Sequence, residues 1–490
     1  MLNAVIYIPL LTGLVVLLVP GSRPDLVRRI AFAGSAATLV LSLVLWAGFD
    51  AAGPDLQWRS TADWIPSIGA AYDVAVDGVS LPLIVLTALL LTVVMVYVLP
   101  EHDRAHAHAF LFLLLATGLL GVFAARDLLL FYLFFEIGLV PMYFIIGMWG
   151  GERRRYAAFK FFLYTRAGSL AMLLGFLGLY LSMEPHTFSL PAIIKAQPLA
   201  NAPGASALVF FGLLLGFGVK LPTVPIHNWL PDAHVEAPTE GSVVLAGLQL
   251  KMGGYGLVAV LLPALPQAVQ RFGWLLLALA LLSLLYGALA ALAQSDMKRL
   301  VAYTSINHMG YVTLAIAVAA MSTSASVRSL ALNGAIIQMV SHGLLTGGMF
   351  LMVGMLQHRT GTRELARFGG LIGKLPAYSA LFAALAFGSF GLPGLSGFIA
   401  EFQVIGATLN VSVWIAALVV LSLVIMTGVY LRLAGVLMGR SPESMPSLAP
   451  LSARELGLAG ALTAVSMLIG IVPGSLVAAV SGATRLFAQF

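Results

Sequence analysis

The sequence predicts an all-α polytopic membrane protein with about 14 transmembrane helices. Of its 490 residues, 60% are hydrophobic and only 9% are charged, whereas a soluble domain carries about 25% charged residues. Apolar runs of about 18 residues or more recur along the whole chain, and runs of that length are typical of membrane-spanning helices. Cysteine is absent, which excludes disulfides, Fe–S clusters and thiolate metal sites from this chain.

The N-terminal segment MLNAVIYIPLLTGLVVLLVPG has no basic region before its apolar run and no small-residue cleavage site. It therefore predicts a first span that is retained, and not a signal peptide. Each predicted span is long enough to cross a hydrocarbon core about 30 Å thick. The spans are 3–20, 29–49, 77–99, 107–124, 127–149, 157–182, 206–232, 237–262, 271–293, 298–320, 329–356, 376–407, 411–438 and 454–479.

The basic residues predict the orientation of the chain. The loops on one side hold fifteen Lys and Arg, the loops on the other side hold six, and the remaining five of the 26 lie within spans. Because cytoplasmic loops carry the excess of Lys and Arg, both termini are expected on the non-cytoplasmic side of the membrane. The net charge of +6 comes from these short loops, so it indicates membrane topology and not binding to nucleic acid.

Two predicted spans are interrupted by residues that break helices. One contains KLPTVP and the other contains FGSFGLPGLSGFIAEF. Each belongs to a run of five spans, and an odd number of spans per run inverts the second run relative to the first. Paired broken helices in inverted repeats point to an ion or substrate path near the midplane, although prolines are also simply tolerated in membrane helices. The predicted domains are helices 1–3 in residues 1–106, a first five-helix repeat in 107–262, a second, inverted five-helix repeat in 271–438, and a fourteenth helix in 439–490.

Six ionisable residues lie deep in the predicted spans, each in a different one. A charge at the bilayer centre costs roughly 3 kcal/mol or more, so such residues face a bundle interior and need partners. A buried acid and a buried lysine whose separation can change form a proton-transfer element, and histidine is a suitable next carrier. We interpret the six as one proton-translocating row along the midplane, in the order Glu136, Lys220, Lys251, His308, His342 and Glu401.

Structural roles are the alternative for these residues. Glu136 and Lys220 would then pair only to hold helices together, and each histidine would make an ordinary interhelical hydrogen bond. Arg166 is expected to extend its head toward the cytoplasmic side; a role as an added partner of Glu136 is the alternative. The helix break after Lys220 is expected to free backbone carbonyls, which would make a polar site for its ammonium group.

The loop after the first break carries His227, Asp232, His234 and Glu236. These residues straddle a helix break, so a polar lining for a proton path is favoured over a metal site. The chain has no P-loop, no CxxC motif and no GxGxxG motif after a strand. We therefore expect it to bind no metal and no cofactor of its own.

Several stretches carry a resemblance to a known family. They are FEIGLVPMYFIIGMWGG, YAAFKFFLYTRAGSLAMLL, VKLPTVPIHNWLPDAHVEAPTEGSVVLAGLQLKMGGYG, DMKRLVAYTSINHMGYV and GLPGLSGFIAEF. The sequence resembles the antiporter-like subunits of respiratory complex I, strongly over residues 75–440. Complex I has three such subunits, and the other two usually have a lysine at the position of Glu401. The chain is also expected to lack the long lateral helix of the largest subunit. Arg166 stands at a position where these subunits usually have an uncharged residue.

The resemblance implies a proton-translocating subunit of NADH:quinone oxidoreductase, with the six buried residues as its translocation residues. It also implies that NADH, FMN, Fe–S clusters and quinone are bound by partner subunits. The implied partners are the other complex I membrane subunits, especially the neighbouring antiporter-like ones, and the lipid bilayer. Three rivals remain: a subunit of a multisubunit Na⁺/H⁺ antiporter or of a membrane-bound hydrogenase, a stand-alone solute transporter, and a structural scaffold.

Overall fold

The computed structural model describes residues 1–20, 22–53, 56–97, 104–440 and 448–487, with side chains to residue 485. Helices dominate these ranges, as the apolar runs predict. The first part of the chain forms α1 (Leu2–Leu17), α2 (Pro24–Ala47), strands β1 (Gln57–Ile65) and β2 (Ala70–Val76), α3 (Ser80–Tyr97), α4 (Ala105–Ala124), α5 (Leu128–Ile137), α6 (Val140–Trp149), α7 (Arg154–Leu181), α8 (Leu190–Ala196), α9 (Pro203–Lys220) and α10 (Trp229–Glu236).

The second part of the chain continues with longer and more deeply buried helices. It forms α11 (Thr239–Ala264), α12 (Pro266–Arg271), α13 (Gly273–Leu292), α14 (Met297–Met321), α15 (Ala325–Thr360), α16 (Leu371–Lys374), α17 (Pro376–Ser389), α18 (Ser396–Val411), α19 (Val413–Met438), α20 (Ala453–Ile471) and α21 (Gly474–Phe487).

Within the described ranges, twelve helical segments are long and apolar enough to cross a membrane, and α1 and α17 are shorter apolar helices. The predicted all-α membrane fold is therefore confirmed. The count of fourteen spans and the two inverted repeats stay predictions. The last predicted span, 454–479, differs from the structure, because α20 ends at Ile471 and α21 begins at Gly474. Pro473 lies between them, and proline disfavours helical backbone at the residue before it.

A β-hairpin is a further feature of the fold that the sequence did not predict. Strands β1 and β2 pair antiparallel through a turn at Gly69, whose φ of +63° suits glycine. Val74 of β2 bridges to Ala125 in the turn between α4 and α5, and Asp127 bridges to Ser189. These contacts gather several interhelical turns at one end of the bundle, which we name the hairpin end.

Polar loops gather at the opposite end of the bundle. The N–H of Gly151 donates to the carbonyl of Glu236, and Asp296 bridges to Glu364. A cleft opens there, with Glu240 and Lys298 among its lining residues. We name this the cleft end.

The centre of the bundle is formed by α11, α14 and α15. The apolar windows of α11 and α15 are 100% buried, and that of α14 is 94% buried. By contrast, α2, α13, α19 and α20 bury only 28–39% of their apolar windows, as is expected of helices that face lipid or partner subunits. The innermost helices are therefore the ones that carry Lys251, His308 and His342.

Candidate proton-transfer site

The first break separates α9 from α10 over residues 221–228. Pro222 and Pro225 lack the N–H groups that would continue the helix, and Lys220 is the last residue of α9. Lys220 is only 1% exposed. Its ammonium group lies 5.7 Å from the ring centre of Phe135 and 5.2 Å from that of Phe161, and no described residue forms a hydrogen bond with it.

The expected polar site of freed carbonyls around Lys220 is wrong. The carbonyl of Val219 accepts a hydrogen bond from the indole of Trp229 at 2.9 Å, and that of Gly218 accepts from the N–H of Thr223. These two carbonyls are thus paired with donors from the break and from α10, as buried polar groups usually are. Aromatic faces attract cations, and here they surround the lysine in place of oxygen atoms.

Glu136 pairs with Arg166 and not with Lys220. A guanidinium nitrogen of Arg166 lies 2.5 Å from a carboxylate oxygen of Glu136 and 3.3 Å from the hydroxyl of Tyr132. The preferred expectation that Arg166 extends to the cytoplasmic side is therefore wrong, and its alternative is correct. Glu136 still lies near enough to Lys220 for its charge to act on the lysine. The acid is thus paired with Arg166 and lies within electrostatic range of Lys220.

Lys251 lies in α11 between two widened turns. The helix adopts i→i+5 hydrogen bonding over Leu245–Gln249 and again over Leu257–Leu261. Wide turns of this kind occur frequently at functional sites. The Lys251 ammonium donates to the carbonyl of Ala246 in the first wide turn, and it lies 2.6 Å from Nδ1 of His342. A fully buried lysine and an imidazole are thus in direct contact.

The contacts continue from His342 to the acid beyond the second break. The ring centres of His342 and His308 are 5.6 Å apart, and Nδ1 of His308 lies 3.7 Å from a carboxylate oxygen of Glu401. His308 also lies 3.3 Å from the amide nitrogen of Gln338 and 3.2 Å from the hydroxyl of Tyr430. A small cavity touches both histidines and Glu401, so a short polar path joins Lys251 to Glu401.

Glycines shape the second break. Gly391 and Gly394 have φ values of +79° and +93° between α17 and α18, conformations that other residues rarely adopt. A Cβ added to Gly391 would lie 2.4 Å from an oxygen of Glu401. Glycine is therefore needed at this position both for the backbone turn and for the close approach of the carboxylate.

The structure brings together four of the six predicted residues. Lys251, His342, His308 and Glu401 follow one another in space, so the two histidines stand in the reverse of their predicted order. Glu136 belongs to a separate ion pair. No hydrogen bond joins Lys220 to Lys251 in the described part of the chain. The single continuous row that the sequence predicts is therefore present only in its second part.

The four polar residues around the first break do not converge. Asp232 pairs with Lys160 at 2.7 Å, and Glu236 accepts a hydrogen bond from the backbone N–H of Arg153. His227 contacts the ring of Tyr286. His234 is fully buried and stacks on Phe350 with ring centres 4.5 Å apart, near enough to Lys251 and Lys298 for both charges to act on it. This dispersal does not fit a metal site.

Sequence reasoning missed Gln338 and Tyr430, which both contact His308. Gln338 had a signal, because it precedes His342 by four residues and so lies on the same face of α15. No sequence signal identifies Tyr430, since a lone tyrosine in an apolar span usually serves only to pack against neighbouring helices. For Arg166 the sequence gives only the reach of the side chain. It does not determine whether the guanidinium extends toward the membrane surface or toward Glu136.

Comparisons with known proteins agree on one group. Residues 125–427 match the family profile described as "NADH:quinone oxidoreductase/Mrp antiporter, TM". A Rhodobacter capsulatus protein named NADH-quinone oxidoreductase subunit M is 39% identical over 492 residues, covering 96% of this chain and 93% of its own. NAD(P)H-quinone oxidoreductase chain 4 of Gloeobacter violaceus is 38% identical and covers 88% of this chain and 80% of its own.

Solved structures give the same result at the level of the fold. A chain of respiratory complex I from Thermus thermophilus with bound NADH is 31% identical and has a TM-score of 0.88, covering 100% of this chain and 99% of its own. A chain of the Mrp complex from Dietzia sp. has a TM-score of 0.84 at 20% identity, covering 99% of this chain and 96% of its own. The second likeness is one of fold alone.

Proposed function

Because the chain belongs to the transmembrane family of NADH:quinone oxidoreductases and Mrp antiporters, we propose that it is the M-type proton-translocating subunit of a bacterial NADH:quinone oxidoreductase. The relatives named subunit M and chain 4 support this assignment over an Mrp subunit, because the Mrp chain matches at only 20% identity. The acid at Glu401 favours the same choice. NADH, FMN, Fe–S clusters and quinone would then be bound by partner subunits, and this chain would carry no redox centre.

The observation that carries the mechanism is the buried path from Lys251 to Glu401. A proton passed from the Lys251 ammonium to Nδ1 of His342 leaves an amine and an imidazolium, and the imidazolium can release a proton from its other nitrogen. His308 would accept that proton and pass it to the carboxylate of Glu401. The small cavity beside both histidines has room for roughly one water, which suits the gap between the rings.

The first part of the site would control when a proton reaches Lys251. Lys220 lies in an aromatic surrounding without a hydrogen-bond partner among the described residues. An unpaired buried charge is strongly disfavoured, so the charge state of Lys220 depends on the distance to Glu136. While Arg166 holds Glu136, Lys220 receives little compensation. Movement of Glu136 toward Lys220 would favour the charged lysine, and movement back would release a proton toward Lys251.

Proton uptake is assigned to the cleft end. Glu240 and Lys298 line the cleft, and His234 lies within electrostatic reach of both Lys298 and Lys251. His234 is therefore suited to carry protons from the cleft to α11. Release would follow from Glu401, since α18 runs from the second break to the hairpin end.

The location and orientation follow from the same assignment. The chain would lie in the bacterial cytoplasmic membrane with the cleft end toward the cytoplasm. Both termini would lie on the non-cytoplasmic side, as the 15-to-6 distribution of loop cations predicts. Other antiporter-like membrane subunits of the complex would be its neighbours.

Proton pumping by the assembled complex tests the proposal. Lys220→Ala and Glu136→Ala are expected to abolish most NADH-driven acidification of inverted membrane vesicles while the complex still assembles. Lys374→Ala, at an exposed position of the cleft end, is the matched control and is expected to pump normally. Normal pumping by both Lys220→Ala and Glu136→Ala would refute the mechanism. Sodium-dependent proton exchange without co-purifying NADH-oxidising subunits would favour the Mrp alternative.

A further inference from the structure

A buried arginine lies at the hairpin end, outside the six residues considered so far. Arg126 lies in the turn between α4 and α5 and is 3% exposed. Its backbone N–H donates to the carbonyl of Asp73, and its carbonyl accepts from the N–H of Leu190. The turn is thus fixed to the β-hairpin on one side and to α8 on the other.

The Arg126 guanidinium is held as firmly as its backbone. It donates to the hydroxyl of Tyr255 at 2.6 Å and to the carbonyl of Ala75 at 3.1 Å, and it pairs with the carboxylate of Asp77 at 3.0 Å. Burial works against the charged form, but Asp77 and Tyr255 raise the pKa of Arg126 above that of a free arginine. The guanidinium is therefore a fixed positive charge that neither takes up nor releases a proton.

This charge stands close to the proposed proton path. Tyr255 and Lys251 are four residues apart in one α-helical stretch of α11, Leu250–Gly256. They therefore lie on the same face, separated by about 6 Å along the axis. The residues after Tyr255 lead to the hairpin end. Arg126 consequently occupies the direct route from Lys251 to the non-cytoplasmic surface.

The hydrogen bonds around Arg126 stop a proton as well. A hydroxyl passes a proton on only if it can accept one on one side and donate one on the other. The Tyr255 hydroxyl accepts a hydrogen bond from Arg126, but the guanidinium does not transfer its proton. The same hydroxyl donates a hydrogen bond to the backbone carbonyl of Phe123. Asp77 is engaged by the N–H groups of Val79 and Ser80 besides the guanidinium. Tyr255 and Asp77 are thus both engaged by the fixed guanidinium.

We propose that Arg126 is a proton barrier that seals the hairpin end of the bundle beneath Lys251. The inference rests on the proposed function, since a barrier matters only if Lys251 carries protons. Fixed cations exclude protons from other membrane pores by the same electrostatic effect. With this route closed, protons that reach Lys251 would be directed through His342 and His308 to Glu401.

Passive proton permeability tests the barrier without turnover. Vesicles containing the assembled complex would be given a potassium diffusion potential in the absence of NADH, and proton influx would be followed with a pH-sensitive dye. Arg126→Gln is expected to raise the influx at least about threefold, because it removes the fixed charge. Arg126→Lys retains the charge and is expected to stay tight. An assembled Arg126→Gln complex that stays tight, or an Arg126→Lys complex that leaks, would overturn the proposal.

Controls separate the barrier from a structural role and from the proposed function. Arg59→Gln removes a cation from the same end, where Arg59 pairs with Asp73 at 2.8 Å in a half-exposed setting, and it is expected to stay tight. If Arg126→Gln does not assemble, Asp77→Asn/Arg126→Gln removes both partners and carries the same expectation of a leak; the Arg126→Lys result stands in either case. Failure of the proposed function would show as normal pumping by Lys220→Ala. Failure of the barrier alone would show as a tight Arg126→Gln complex while Lys220→Ala still loses pumping.

Discussion

The regions around the two helix breaks handle buried charge in opposite ways. At the first break, prolines end α9, and Lys220 is left among phenylalanine rings while its acid is held by Arg166. At the second break, glycines bend the chain, and Glu401 approaches His308 directly. The first region keeps Lys220 apart from Glu136, and the second keeps ionisable side chains together. Under the proposed mechanism, this difference assigns gating to the first region and conduction to the second.

The largest expected effect comes from removing the last carrier of the second region. Glu401→Gln keeps the size of the side chain but cannot accept a proton as a carboxylate, so NADH-driven pumping is expected to fall at least about tenfold. Proton pumping is measured as the acidification of inverted vesicles, divided by the rate of NADH oxidation. Glu364→Gln, an exposed acid at the cleft end, should pump normally. Equal pumping by both variants would contradict a conducting role for the second region.

A smaller effect is expected from releasing the acid of the first region. Arg166→Gln removes the cation that competes with Lys220 for Glu136. Glu136 should then stay close to Lys220, and Lys220 should retain its proton. Pumping is expected to fall about threefold, and Arg166→Lys should restore most of it by restoring the charge. Arg155→Gln, near the exposed start of the same helix, is the control. If the glutamine and lysine variants behave alike, Arg166 does not act through its charge.

The shape of the second break gives the next effect. Gly391→Ala forces a Cβ against Glu401 and strains a backbone φ of +79°, which costs about 1–3 kcal/mol. The thermal stability of the complex should fall and pumping should decline about twofold. Gly428→Ala serves as the control, because a Cβ there would meet nothing within 4 Å. Equal stability of the two variants would show that the break tolerates displacement of Glu401.

The smallest effect is expected at the edge of the second region. Tyr430→Phe removes one hydrogen bond to His308, a loss of about 1 kcal/mol. His308 would be held less firmly, and pumping is expected to decline less than about twofold, with NADH oxidation unchanged. A loss as large as that of Glu401→Gln would place Tyr430 in the path itself.

Residue patterns predict the helices and several of the buried ionisable residues, because a membrane restricts which residues a span can contain. Long apolar runs predict the helices, and the deep charges predict Lys251, His308, His342 and Glu401 as neighbours. The order of the two histidines was wrong because it follows from how α14 and α15 pack, which chain order does not encode. The prediction of freed carbonyls around Lys220 was wrong for a related reason. The indole that takes up the Val219 carbonyl comes from Trp229, nine residues beyond the lysine.

The widened turns of α11 also alter which residues share a face of that helix. A regular helix advances about 100° per residue, so a turn that holds one additional residue shifts everything after it by about that angle. The first wide turn, Leu245–Gln249, lies between Glu240 at the cleft and Lys251 at the centre. Helical-wheel arithmetic across it therefore assigns Lys251 to the wrong azimuth. If the wide turn moved along the helix, Lys251 would rotate relative to His342 without any change in the number of residues in the span.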